Sequence, residues 1–122
     1  MKVLLAEDNA INREIACYFL KELHCEITTA TNGAEAVSAA LLQAFDVIFM
    51  DIQMPELSGV EATERIRSLE KSLNKKTPIV AITAYTSQFE IDEFLAAGMT
   101  NHIAKPLSVE KLREAMRLCT NK

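Results

Sequence analysis

Reactive side chains in this sequence stand at the ends of short apolar runs. "VLLA" (3–6) leads into Glu7 and Asp8, "VIFM" (47–50) into Asp51, "PIVAIT" (78–83) finishes on Thr83, and "NHIA" (101–104) leads into Lys105 and Pro106. Three carboxylates, a hydroxyl and an ammonium form a set suited to managing negative charge. Carboxylates crowded into a half-buried cleft repel one another, and they relieve the repulsion by holding protons or a cation. An all-oxygen site with few protein ligands suits Mg²⁺, whereas zinc favours His or Cys. Within such a set an aspartate can attack phosphorus. The cation and the lysine then neutralise charge on the phosphoryl oxygens, and the threonine donates a hydrogen bond to one of them.

Taken singly, each residue has a plainer reading. Glu7 and Asp8 could cap a following helix, favoured by its dipole; Asp51 could be a turn aspartate ahead of Pro55; Lys105 could be a solvated surface lysine. Only the joint pattern favours chemistry.

The elements that must hold these residues alternate. Strand candidates rich in β-branched residues are the four runs above and "CEITTA" (25–30),. Helical spacing lies between them: Ile11, Ile15, Phe19 and Leu23; Val37, Ala40 and Leu41; Ile66, Leu69 and Leu73; and Val109, Leu112, Met116 and Cys119, each set marking one buried helix face,. The segment Gln88 to Ala97 is helical with a mixed apolar pattern, as if something covers its outer face. Gly33 and Gly59 fall near helix starts, Gly98 at a left-handed helix end, and Ser108 at a cap. Five strands alternating with five helices imply an α/β fold with a parallel sheet covered on both faces. "CEITTA", with its alternating polar residues, reads as an edge strand. Ligands of such sheets gather beyond the carboxyl ends of the strands.

The chain has 122 residues, 49% of them hydrophobic, enough to bury a core as a single domain over 1–122. A net charge of −4 argues against direct nucleic-acid binding. Cys17, Cys25 and Cys119 form no CxxC pair, so a reducing cytoplasm is expected. No apolar run approaches the ~18 residues of a membrane span. With only three glycines there is no glycine-rich phosphate loop of a nucleotide-binding fold.

Five motifs in order, "EDN", "MDIQMPELSG", "TA", "AAGM" and "KP", resemble those of response-regulator receiver domains of two-component phosphorelays over residues 2 to 120. The resemblance implies a flavodoxin-like (βα)5 sheet of order 2-1-3-4-5 in three α/β/α layers. It implies that Asp51 is the phosphoacceptor, that Asp8 and Asp51 ligate Mg²⁺ with the Gln53 backbone carbonyl, and that Glu7 acts through metal-bound water. Thr83 then serves as the switch, and Lys105 precedes a cis peptide bond to Pro106. The expected partner is a histidine kinase or a histidine phosphotransfer domain, met by Ile11, Ile15 and Pro106, and homodimerisation is compatible with this reading. Such a domain catalyses its own phosphorylation and dephosphorylation rather than acting as a conventional enzyme. "EDNAINREIA", "GVEATERIR" and "AAGMTNHIAKP" look most like the receivers of hybrid sensor kinases.

Two alternatives compete with this reading. A Mg²⁺-dependent phosphohydrolase with a nucleophilic aspartate usually wants a second acid where Gln53 stands, and a non-phosphorylated pseudo-receiver would not need the full acidic set and Lys105. Other positions refine the reading. His102 occupies the place where receivers often carry a swinging tyrosine or phenylalanine, which suggests a weaker or pH-sensitive switch. Gln53 and Tyr85 sit where receivers set the lifetime of the aspartyl phosphate. His24 reads as an exposed helix-end residue, and Met50, Met54, Met99 and Met116 as packing.

Overall fold

Side chains of a strand alternate between the two faces of its sheet, and here both faces are apolar, so both must be covered. The computed structural model describes residues 1–84 and 87–120; Tyr85 lies outside the described residues. The elements are β1 (Lys2–Ala6), α1 (Ala10–Glu22), β2 (Glu26–Ala30), α2 (Gly33–Leu42), β3 (Val47–Asp51), α3 (Gly59–Ser68), β4 (Ile79–Thr83), α4 (Gln88–Ala97), β5 (Asn101–Ala104) and α5 (Val109–Thr120). The strands form one parallel sheet in the order β2-β1-β3-β4-β5. "EITTA" lies at an edge, as its composition implies.

One face carries Leu4, Ala6, Ile48, Met50, Ile79 and Ala81 against Ala36 and Ala40 of α2, Ala62 and Ile66 of α3, and Phe94 of α4. The other carries Val3, Leu5, Val47, Phe49, Val80 and Ile82 against Ala16 and Leu20 of α1 and Leu112 and Ala115 of α5. These alternating runs give the three α/β/α layers. β1, β3 and β4 are buried along almost their whole length, which makes a stiff support for whatever stands at their ends.

Two helix faces differ from the sequence expectation. On α1 the buried residues are Ala16 and Leu20, while Ile11 is 68% and Ile15 45% exposed. The i+4 stripe of isoleucines therefore runs out of the core toward the carboxyl end of the sheet. On α3 the helix stops at Ser68, and Leu69 and Leu73 lie beyond it, exposed. What ends it is a polar knot. Arg67 donates to the Gly98, Asn74 and Lys75 carbonyls at 3.0 Å each. Asn74, 0% exposed, donates to the Ala40 and Gln43 carbonyls at 2.7 and 2.8 Å and accepts from the Phe45 amide and the Thr77 hydroxyl at 2.9 and 2.8 Å. On α4, Phe94 and Ala97 face inward and Phe89 and Leu95 face solvent, which accounts for its mixed pattern.

The expected punctuation is present. Gly98 ends α4 at φ 108°, and Ser108 Oγ accepts from the Lys111 amide at 3.1 Å. The end of α1 is unexpected in one respect: His24, exposed, takes the left-handed conformation at φ 61° usually left to glycine,. Met50 and Met99 are core residues.

Candidate active site

β1 and β3 are neighbours, while the connections from them lead to opposite sides of the sheet, so a crevice opens between their carboxyl ends. Glu7 and Asp8 follow β1, and Asp51 is the last residue of β3. Glu7 is 3% and Asp51 2% exposed, whereas Asp8 is open to solvent. One carboxylate oxygen from each of the three lies within 4.8 Å of the others.

The two buried acids are held differently. Asp51 Oδ1 accepts from the Gln53 amide at 3.0 Å, and Oδ2 accepts from Lys105 Nζ at 3.0 Å. Glu7 accepts from the Asn9 amide at 3.3 Å and has Lys105 Nζ only at 4.0 Å. Burial, reinforced by the hydrogen bond and negative charge of Asp51, pushes the Glu7 carboxyl up to about 8. Without a cation Glu7 thus relieves the crowding by keeping its proton; fully ionised, the three carboxylates would exceed the one ammonium by two negative charges, which a divalent cation would balance. The donors are all hard oxygens, and the fit to Mg²⁺ rests on that chemistry.

The local reasons for this placement are visible. Asn9, not Glu7 or Asp8, caps α1, accepting from the Asn12 amide at 2.9 Å, so the capping alternative for the two acids falls away. Arg13, one turn into α1, donates back to the Glu7 and Asp8 carbonyls at 2.9 and 3.4 Å. Behind Asp51, Gly59 opens α3 with its amide 3.0 Å from the Ile52 carbonyl, and a Cβ at Gly59 would collide with the Asp51 carbonyl oxygen. Close approach of backbone requires glycine there.

Thr83, buried at the end of β4, accepts the Lys105 amide on its carbonyl at 2.9 Å. The Lys105–Pro106 bond is cis. A depression of about 380 Å³ beside the acids is lined by Glu7, Asn12, Ile15, Lys105, Pro106 and Leu107, so exposed Ile15 and Pro106 border the acidic cleft. His102 lies apart from the acids. It is half-buried on β5 and lines a second depression with Glu110, Lys111, Glu114 and Leu118. Gln53 is exposed.

The structure places Glu7, Asp8, Asp51, Thr83 and Lys105 at or just beyond the carboxyl ends of their strands, and it adds side chains that hold their backbone and that the sequence did not single out. Asn9 was signalled by its position three residues before Asn12 at the start of the helical pattern. Arg13 and Lys111 had no signal stronger than their place one turn into a helix.

At the carboxyl edge of a doubly wound sheet the chain thus carries an acidic pocket, a lysine and a buried threonine. The sequence matches the response regulator receiver domain family over residues 3–117, and the chain belongs to that family. Hybrid signal transduction histidine kinase G of Dictyostelium discoideum is 44% identical over 115 residues, 93% of this chain. The chain spans only 3% of that kinase's length and 13 to 15% of related plant histidine kinases. The receiver domain of the sensor histidine kinase PA1611 of Pseudomonas aeruginosa, with a magnesium ion coordinated in its active-site cleft, matches with a TM-score of 0.90 and 33% identity, covering 99% of this chain and 98% of that one. A complex of the Saccharomyces cerevisiae histidine phosphotransfer protein Ypd1 with the receiver domain of its downstream response regulator Ssk1 matches with a TM-score of 0.88 and 35% identity, covering 96% of this chain and 86% of that one. Among the described residues no helix is long and apolar enough to cross a membrane.

Proposed function

We propose that Asp51 accepts a phosphoryl group from a phosphorylated histidine, within a receiver unit spanning residues 1–122. The observation that carries this is a buried carboxylate, 2% exposed, at the end of a central strand, with an ammonium 3.0 Å from one oxygen and two further carboxylates beside it. An Asp51 oxygen forms a bond to phosphorus as the phosphorus–nitrogen bond of the donor breaks, and the electron pair leaves with the imidazole. Lys105 stands where it can neutralise charge on the phosphoryl oxygens, and Thr83 can donate its hydroxyl to one of them, drawing in the start of the connection to α4. Asp8, Asp51 and the Gln53 carbonyl would hold Mg²⁺, with Glu7 acting through its bound water. When bound, the ion would supply positive charge to offset that of the carboxylates and the phosphoryl oxygens.

Ile15 and Pro106, which border the cleft, and exposed Ile11 one turn before Ile15 on α1 suit docking of the histidine-bearing helix of a phosphotransfer domain,. The complex of a related receiver with Ypd1 supports that partner class, and similarity to hybrid kinases supports origin from such a protein. His102 would take the part of the switching aromatic, among Glu110, Lys111 and Glu114; His102→Tyr should then alter phosphorylation-dependent binding, and unchanged binding at every pH would remove the assignment. The phosphohydrolase alternative lacks its second acid at Gln53. Intact mass after incubation with acetyl phosphate tests the proposal: a phosphoryl adduct should form with Mg²⁺ and fail to form with a chelator, and equal labelling under both conditions would contradict it.

A further inference from the structure

The Lys105 side chain is 31% exposed and long, so where its ammonium sits depends on how firmly the backbone beneath it is held. The peptide unit joining Ala104 to Lys105 is gripped at both ends. Its N–H donates to the Thr83 carbonyl at 2.9 Å, and its carbonyl accepts from Lys111 Nζ at 3.1 Å. The same ammonium reaches the Pro106 carbonyl at 2.8 Å. β5 is the last strand of the sheet, with no further strand beside it among the described residues, and Lys111 donates to its final carbonyl.

Lys111 is itself well placed to do this. Its amide is fixed by the Ser108 cap at 3.1 Å, and the adjacent Leu112 is fully buried. Hydrogen bonds from an ammonium to two carbonyls are charge-assisted and stronger than neutral ones. The opposite side of the cleft repeats the arrangement, with Arg13 of α1 on the Glu7 and Asp8 carbonyls. The loops after β1 and β5 are thus each clasped by a cation from the start of the helix that follows.

We propose that Lys111 is a positioning residue for phosphorylation, acting through Lys105 by fixing the carbonyls on either side of it. The proposal rests on the reading of Lys105 and Asp51 given above. Its test is a double-mutant cycle: initial rates of phosphorylation by acetyl phosphate at saturating Mg²⁺, read by intact mass, for wild type, Lys111→Met, Lys105→Met and the double variant. A small phosphodonor removes any contribution of Lys111 to partner docking. Lys111→Met should slow the reaction about three- to tenfold, leave the Mg²⁺ concentration for half-maximal rate unchanged, and add nothing in the Lys105→Met background. A wild-type rate in Lys111→Met, or the same slowing with and without Lys105, overturns the proposal. If Lys105→Met itself reacts at the wild-type rate, what fails is the underlying reading of the site.

Discussion

Replacing Glu7 with glutamine should remove most of the pH dependence of stability that this cleft imposes on the metal-free protein. Glu7 is buried next to Asp51, and its carboxyl is raised from 4.5 to about 8, chiefly by burial and then by Asp51. The unfolded chain releases this proton near 4.5 and the folded chain near 8. Between those values the folded state holds one more proton, so its stability falls as pH rises. The contribution is fully present below pH 4.5 and lost as pH passes 8. The slope for one proton is about 1.4 kcal/mol per pH unit, so wild type should lose on the order of 2 kcal/mol between roughly pH 6 and pH 8 relative to Glu7→Gln. Glutamine keeps the shape and cannot ionise, and the histidines are common to both proteins. Urea denaturation in chelator, with the difference between the two proteins plotted against pH, isolates the effect. Saturating Mg²⁺ should stabilise wild type more at pH 8 than at pH 6, because a cation among the carboxylates must displace that proton. A wild-type-minus-variant difference that stays flat from pH 6 to pH 8 would refute the reasoning.

Three other substitutions probe different parts of the account. Gly59→Ala forces a methyl against the Asp51 carbonyl and should cost about 1–3 kcal/mol by denaturation while slowing labelling by acetyl phosphate; wild-type behaviour in both assays would show that α3 does not back the acid. Asn74→Ala breaks four hydrogen bonds, two of them buried and two part-buried, at the end of the sheet away from the acids and should cost about 2–4 kcal/mol with the labelling rate unchanged, so a slowed rate in the folded variant would count against that separation. Ile11→Glu should slow transfer from a phosphorylated histidine phosphotransfer domain about tenfold and leave labelling by acetyl phosphate unaltered; equal loss with both donors would point to damage at the cleft instead of the docking face.

The reactive groups were legible because the sheet writes them plainly. A strand buried on both faces is a short apolar run, and the first polar residue after it must stand at the sheet's edge, so Asp51 and Lys105 announced themselves. The helix faces were less legible for a physical reason. An i+4 row of isoleucines looks the same whether it meets the core or faces solvent, and Ile11 and Ile15 fall in the second class. The apolar period through Ile66, Leu69 and Leu73 runs past Ser68, yet the helix stops where Arg67 and Asn74 bond carbonyls far away in sequence. No local pattern encodes such bonds. The same holds for Arg13 and Lys111, whose partners are backbone atoms and leave no mark in the choice of residues that carry them.

The central claim is that Asp51 carries the phosphoryl group, and site mapping addresses it most directly. Protein incubated with Mg²⁺ and acetyl phosphate, reduced with borohydride to convert any acyl phosphate to the corresponding alcohol, and digested for tandem mass spectrometry should show homoserine at position 51 and an unmodified chain when Asp51→Asn is treated alike. Reduction mapped to Asp8 or another carboxylate in wild type, or an adduct that survives in Asp51→Asn at the wild-type rate, would contradict it.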